Sequence, residues 1–160
     1  MANLVNLKKF WRNKKVFITG HTGFKGAWLC IFMNLLGAKV YGYSLSPRKK
    51  SLFNQAGCRK FLKKNIYANI QNNEVLKNQI LKIKPEILFH LAAQPLVIKS
   101  FQDPLETFKT NVMGTTNVLN IIKQKKFLKS GVIVTTDKVY QIKKNNKTYF
   151  EEDTLGGIDP

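Results

Sequence analysis

The chain has 160 residues, of which 44% are hydrophobic, so it is long enough and apolar enough for one domain with a buried core. Its 27 Lys and Arg against 9 Asp and Glu give a formal charge of +18, and no carboxylate precedes Glu74. Such a charge favours nucleic acid, an anionic membrane or a phosphorylated small molecule as a partner. Only 3 of the basic residues are Arg, the residue typical of base-reading sites. We therefore interpret most lysines as solvated surface and expect no nucleic acid and no membrane as a partner.

Cysteine and histidine usage argues against a disulfide-rich protein and against a metal-binding protein. The cysteines, Cys30 and Cys58, are too few for a disulfide framework, and neither lies at metal-ligand spacing from a histidine, so we expect no metal. The first 15 residues lack the apolar stretch of a secretory signal, and the longest apolar run, residues 27–33, is too short to cross a bilayer. We expect a cytoplasmic protein.

Strand and helix patterns alternate along the chain. Apolar and β-branched runs predict strands at residues 15–19, 39–44, 65–70, 86–91 and 131–136, and helical spacing predicts helices at 24–36, 73–84 and 103–126. The polar, lysine-rich residues 141–148 predict a loop. Because parallel strands need helical crossovers, this order predicts an α/β fold, a Rossmann-like doubly wound parallel sheet of about five strands.

A glycine-rich turn, GHTGFKG, joins the first strand to the first helix. Its glycines, Gly20, Gly23 and Gly26, are spaced as a pyrophosphate-binding turn requires, although a turn that merely packs has the same spacing. The acidic residue that commonly binds the adenosine ribose is missing, since position 46 is serine, and the nearby Arg48 is available to pair with a 2′-phosphate. Spacing alone leaves NAD and NADP both open.

Three further segments, HLAAQ at 90–94, TNVMGT at 110–115 and TTDKVY at 135–140, make the chain resemble the extended short-chain dehydrogenase/reductase superfamily. More specific segments resemble its CDP-glucose 4,6-dehydratase family, namely FW at 10–11, GHTGFKGAW at 20–28, SLF at 51–53, FHLAAQPLV at 89–97 and GGIDP at 156–160. The resemblance implies a lyase with tightly held NAD that converts CDP-glucose into CDP-4-keto-6-deoxyglucose. In that reaction C4 is oxidised, water leaves from C5 and C6, and the hydride returns to C6.

The resemblance also implies the site residues. Those expected to bind the cofactor are Gly20, His21, Thr22, Gly23, Phe24, Lys25, Gly26, Ser46, Asn69, Ile70, Leu91, Ala92, Ala93, Gln94 and Asn111. Within this set, His21 and Lys25 are expected to neutralise phosphate charge. For catalysis, Thr136 is expected to polarise the C4 oxygen, Asp137 to protonate the leaving C6 oxygen and Lys138 to remove the C5 proton, although an acid and a lysine after a strand also suit a surface ion pair.

In this family a YxxxK segment, which supplies the catalytic tyrosine and lysine, directly follows the GGIDP turn. Because the chain ends at Pro160, we expect residues 1–160 to form a dinucleotide-binding domain incomplete at its carboxyl end, without the nucleotide-sugar domain and inactive by itself. The fifth strand should then have an open edge, and a homodimer through the helix at 103–126 should be weakened. The alternatives are a non-catalytic NAD(P)-binding module and the inactive product of an interrupted gene.

Overall fold

The computed structural model describes residues 2–123, 125–136, 139–141 and 148–156. Its centre is a sheet of five strands in the order β3-β2-β1-β4-β5 with every pairing parallel. The strands are β1 (Lys15–Thr19), β2 (Lys39–Ser44), β3 (Leu62–Tyr67), β4 (Ile87–His90) and β5 (Ser130–Ile133). This topology confirms the predicted Rossmann-like parallel sheet.

Helices connect the strands and cover both faces of the sheet. They are α1 (Ala2–Trp11), α2 (Phe24–Leu35), α3 (Leu52–Gln55), α4 (Asn73–Ile83), α5 (Val97–Gln102), α6 (Pro104–Phe108) and α7 (Gly114–Ile122), with a 3-10 helix at Cys58–Phe61 and a π-helix at Lys109–Met113. None of the helices in the described ranges is long and apolar enough to cross a membrane.

The core has one layer on each side of the sheet. Side chains alternate along β1, so Phe17 faces α4 and α7 while its neighbours Val16 and Ile18 face α2. The first layer contains Phe17, Tyr43, Leu76, Ile80, Leu88 and Val118, and the second contains Val16, Ile18, Cys30, Met33, Val40 and Ile87. Strand β1 is therefore covered on both sides, as its almost continuous apolar sequence predicts.

Some predicted boundaries differ from the structure. The third strand begins at Leu62, not at residue 65, because Leu62 already pairs with Val40 where the 3-10 helix ends. The strand leaves the sheet after Tyr67, and the side chain of Asn69 then accepts a hydrogen bond from the backbone of Gln71. The fifth strand is shorter than predicted, and the single helix predicted at 103–126 is divided by the π-helix. Helices α1, α3 and α5 and the 3-10 helix were not predicted.

Strand β5 lies at the edge of the sheet in the described part of the chain. Three of its four residues are exposed. The backbone groups on its outer side are therefore placed to pair with a further strand. Residues 142–147, within the predicted loop, lie outside the described residues.

Candidate functional site

A cleft of about 890 Å³ opens where β1, β2 and β4 end. Because β1 lies between β2 and β4, the chain leaves neighbouring strands toward opposite sides here, which is where open α/β sheets bind ligands. The predicted residues that line the cleft are Gly20, Thr22, Gly23, Phe24, Lys25, Gly26, Ser46, Asn69, Ile70, Leu91, Ala92 and Ala93. The structure therefore brings most of the predicted cofactor residues together.

The glycine turn is packed too closely for larger residues. Gly20 has a φ of +71°, and a β-carbon there would lie 2.6 Å from the backbone nitrogen of Ala92. A β-carbon on Gly26 would collide with the carbonyl of Gly20. Gly23 caps α2 without a side-chain hydrogen bond, so the first N–H groups of that helix remain available to an anion. The turn therefore fits a bound phosphate.

The His21 side chain is buried on the other side of the turn and does not line the cleft. Its Nε2 lies 2.5 Å from Oδ1 of Asn65, and its ring packs against Phe53 and Tyr67. Burial lowers the pKa of His21 despite the hydrogen bond to Asn65, so the imidazole is neutral. A neutral buried ring does not neutralise a phosphate. Lys25, which is exposed and lines the cleft, is placed to do so.

The segment that follows β2 forms one end of the cleft. The Thr22 hydroxyl donates to the carbonyl of Leu45 over 3.0 Å and lies 2.8 Å from the Ser44 hydroxyl, which ties the glycine turn to this segment. Ser46, Arg48 and Lys50 line the cleft here, and its described lining includes no carboxylate. This end therefore attracts anions.

The other lining segments follow β3, β4 and β5. The Tyr43 hydroxyl donates to the carbonyl of Asn69 over 2.9 Å, and Oδ1 of Asn69 accepts from the backbone of Gln71, also over 2.9 Å. These bonds fix the segment after β3 that carries Asn69 and Ile70. The remaining wall is formed by residues 91–93 together with Val134 and Thr135.

Several predicted residues do not line the cleft. The side chains of Gln94 and Asn111 are half-buried behind it, and Thr136 is exposed beyond its lining. Asp137 and Lys138 lie outside the described residues. The sequence did not predict several lining residues that end or follow a strand, among them Tyr43, Ser44, Leu45, Ala68 and Thr135, nor Thr110 in the π-helix. The ends of strands are the signal that would have identified most of them.

A glycine turn that accepts an anion, placed at the switch point of a parallel sheet, defines the class of Rossmann-type nucleotide-binding proteins. The family model of GDP-mannose 4,6 dehydratase matches residues 17–155. The chain belongs to this family. The described residues of the chain include no group of three or more His, Cys, Asp and Glu that could hold a metal ion.

Similar proteins include CDP-glucose 4,6-dehydratase of Salmonella typhimurium, 45% identical over 96% of this chain and 43% of that protein. The dTDP-D-glucose 4,6-dehydratase of Dictyostelium discoideum is 35% identical over 79% of this chain and 30% of that protein. The chain thus spans less than half the length of either relative.

Solved structures show the same fold. UDP-glucose 4-epimerase from Brucella ovis in complex with NAD superposes with a TM-score of 0.77 at 18% identity, over 91% of this chain and 42% of that one. The dTDP-glucose 4,6-dehydratase from Bacillus anthracis in complex with NAD gives a TM-score of 0.75 at 22% identity, over 92% of this chain and 45% of that one.

Proposed function

We propose that residues 1–160 form the dinucleotide-binding domain of a nucleotide-sugar 4,6-dehydratase that binds NAD and acts on CDP-glucose. The glycine turn at the end of β1 carries this proposal, because it opens onto a cleft of about 890 Å³. The 45% identity to the Salmonella CDP-glucose 4,6-dehydratase supports the reaction and the substrate. The NAD-bound structures that share the fold support the cofactor.

The residues of the turn fit a dinucleotide. Gly20 and Gly26 allow the backbone to approach a pyrophosphate, the amino end of α2 presents unpaired N–H groups, and Lys25 adds a positive charge. Residues 91–93 and Asn69 then form the walls against which a ribose and a base would lie. When bound, NAD supplies the hydride acceptor for oxidation at C4.

The catalytic groups are proposed to follow β5. Thr135 lines the cleft and Thr136 comes directly after it, so the segment leaves the sheet at the edge where a ligand would lie. Thr136 would polarise the C4 oxygen, Asp137 would protonate the leaving C6 oxygen and Lys138 would remove the C5 proton. For Lys138 to act as a base its pKa must be lowered by burial or by a neighbouring charge.

Calorimetry with NAD and NADP tests the binding step. We expect NAD to bind the wild-type chain and Gly26→Ala to abolish binding, because the added methyl group collides with the carbonyl of Gly20. Gly156→Ala is the matched control, since among the described residues the nearest atom to its β-carbon would be Cβ of Gln141 at 3.6 Å. Absence of NAD binding to the wild-type chain, or equal binding by Gly26→Ala, would contradict the proposed site.

Turnover is tested separately. Because the chain spans 43% of the Salmonella relative, we expect these 160 residues to give no 4-keto product from CDP-glucose by themselves. Addition of the remaining part of that relative, expressed as a second chain, should restore some product, and Lys138→Ala should abolish it. Product from the 160-residue chain without the second chain would overturn the first expectation. NAD binding without product in any mixture would instead favour a non-catalytic module.

We also propose a homodimer through the helical segment at 103–126, which contains α6, the π-helix and α7. The backbone is helical without a break from α6 to α7, and its exposed apolar residues Leu105, Phe108, Val112 and Leu119 follow at intervals of three, four and seven, the pattern of a helix-pairing seam. A second copy presents the same seam, so the contact is self-complementary. Sedimentation should show association that Leu105→Glu and Phe108→Glu remove and Leu7→Glu, an exposed position on α1, does not. A wild-type monomer at all concentrations would refute the dimer.

The cytoplasm is the proposed compartment. Both cysteines are free and buried, which suits a reducing environment. Fractionation of the producing cell tests this, and recovery of the protein outside the cytoplasmic fraction would contradict it.

A further inference from the structure

A buried chain of hydrogen bonds runs behind the cleft wall and connects three elements. Oγ1 of Thr19, at the end of β1, lies 2.7 Å from Nδ1 of His90, at the end of β4. Nε2 of His90 lies 3.0 Å from Oγ1 of Thr115 in α7. The Thr115 hydroxyl in turn donates to the carbonyl of Asn111 over 2.6 Å. Thr19 and His90 are both almost fully buried.

Which atom donates in each of these hydrogen bonds follows from the other bonds that Thr19 and Thr115 make. Oγ1 of Thr19 already accepts from the backbone nitrogens of Leu91 and Ala92, at 3.1 and 3.2 Å, so its own proton goes to Nδ1 of His90. The His90 ring must therefore carry its proton on Nε2 and donate it to Thr115. Because Thr115 donates onward to Asn111, its oxygen is free to accept that bond.

Asn111, at the far end of the hydrogen-bond chain, binds the backbone of Gln94, which directly follows the wall residues 91–93. Oδ1 of Asn111 accepts from the backbone nitrogen of Gln94 over 2.7 Å, and Nδ2 of Asn111 donates to the carbonyl of Gln94 over 3.1 Å. Residues 91–94 are thus held at one end by Thr19 and at the other by Asn111. The bond between His90 and Thr115 links the two attachments.

We propose that Thr19, His90 and Thr115 are positioning residues that hold residues 91–94 in the conformation needed to bind the cofactor. The proposal rests on the proposed function, since residues 91–93 form a wall of the NAD cleft. It also gives Gln94 and Asn111 a role that does not require them to touch the cofactor.

Burial supports this role by keeping His90 neutral. It lowers the pKa of His90 to about 4, so one uncharged tautomer persists at neutral pH. A charged ring would donate from both nitrogens, and the proton of Thr19 would then have no acceptor.

Two substitutions of Thr19 test the proposal. Thr19→Val keeps the shape and removes the hydroxyl, so we expect the dissociation constant for NAD to rise about tenfold, which corresponds to the loss of about one buried hydrogen bond. Thr19→Ser keeps the hydroxyl and should bind NAD within about threefold of wild type. Hydrogen exchange of the Ala92 amide should accelerate in Thr19→Val and remain slow in Thr19→Ser, whereas the Leu91 amide keeps its bond to the Thr19 carbonyl in both variants.

If Thr19→Val does not fold, Thr115 at the other end of the hydrogen-bond chain offers a second test. Thr115→Val removes the acceptor of His90 Nε2, and nitrogen NMR should then show loss of the pure Nε2–H tautomer found in wild type. Thr116→Val is the matched control, because Thr116 also donates to a carbonyl four residues earlier but lies on the exposed side of α7. It should leave the tautomer and the NAD affinity unchanged.

The outcomes separate this proposal from the proposed function. If wild type binds no NAD, the proposed cofactor site is wrong. Amide exchange and the His90 tautomer still test the hydrogen-bond chain in that case. If wild type binds NAD and Thr19→Val binds equally well, or if His90 carries its proton on Nδ1, the positioning role is overturned. Slow exchange of the Ala92 amide in both Thr19 variants would overturn it as well.

Discussion

The imidazole of His21 lies against Gly42 of β2 and fills the space that a β-carbon at that position would occupy. This contact holds the glycine turn to the second strand from behind, while the hydrogen bond between His21 and Asn65 extends the attachment to β3. The turn is therefore supported by two neighbouring strands on the side away from the cleft.

Gly42→Ala should destabilise the fold because the new methyl group displaces the His21 ring. Overpacking of this kind costs about 1–3 kcal/mol in the free energy of unfolding, which urea denaturation measures. His21→Ala combined with Gly42→Ala should be less destabilised than the sum of the single variants, since removal of the ring makes room for the methyl group. Additive effects would show that the two residues do not share this space.

Acid should destabilise the protein before its carboxylates titrate. Burial lowers the pKa of His21 and also that of His90, the latter from 6.5 to about 4. As pH falls below about 6.5 the unfolded chain takes up protons that the folded chain does not, so stability present above pH 6.5 is lost toward pH 4. Thermal unfolding should show a Tm about 5 °C lower at pH 5 than at pH 7.5.

Glu86 provides the internal control for this pH range. The hydrogen bond from Lys129 holds the pKa of Glu86 below its usual value of 4.5, so its contribution is lost only at lower pH. A Tm that is constant from pH 7.5 to pH 5 would therefore mean that neither buried histidine has a lowered pKa.

The basic end of the cleft should supply the affinity that the site has for the 2′-phosphate of NADP. Arg48 and Lys50 line the cleft, so Arg48→Ala with Lys50→Ala should weaken NADP binding about tenfold relative to NAD binding, as measured by calorimetry. Lys49→Ala is the control, because Lys49 is exposed between them and does not line the cleft. An unchanged ratio of the two affinities would show that these cations do not face the ribose.

Gly114→Ala should destabilise the protein, although replacing glycine by alanine inside a helix usually stabilises it. Alanine normally stabilises a helix interior by about 1 kcal/mol relative to glycine, but here its β-carbon would lie 2.7 Å from Cγ2 of Ile70. We expect lower stability in urea and weaker NAD binding, because Ile70 lines the cleft. Asn120→Ala, at an exposed position of the same helix, should be neutral or slightly stabilising. A more stable Gly114→Ala would contradict the close contact.

The sequence predicted the centre of the fold better than its edges. Strands β1 and β2 begin and end as predicted, because both are apolar runs buried on two faces. Strand β3 was placed three residues late, since it starts with Leu62, Lys63 and Lys64, and charged residues at a sheet edge give no apolar signal. The π-helix has no sequence pattern that distinguishes it from an α-helix.

For the site, the sequence predicted which residues lie close together but not where each side chain points. The glycine motif identified the turn, but nothing in the motif showed that His21 points into the core, because that depends on the space above Gly42, 21 positions later. Likewise, the motif that contains Asn111 placed it near the cofactor, whereas its side chain binds the backbone of Gln94. Proximity was predictable from the sequence, and side-chain direction was not.

The central position of β1 also determines when the site can form during folding. Thr19 and His90 are 71 positions apart in the chain, and the wall that closes over the glycine turn follows His90 directly. The turn therefore lacks this wall of the cleft until β4 has been synthesised and has paired with β1. Parallel pairings between distant segments form slowly. The cofactor therefore cannot guide the first steps of folding and can stabilise only a sheet that is already assembled.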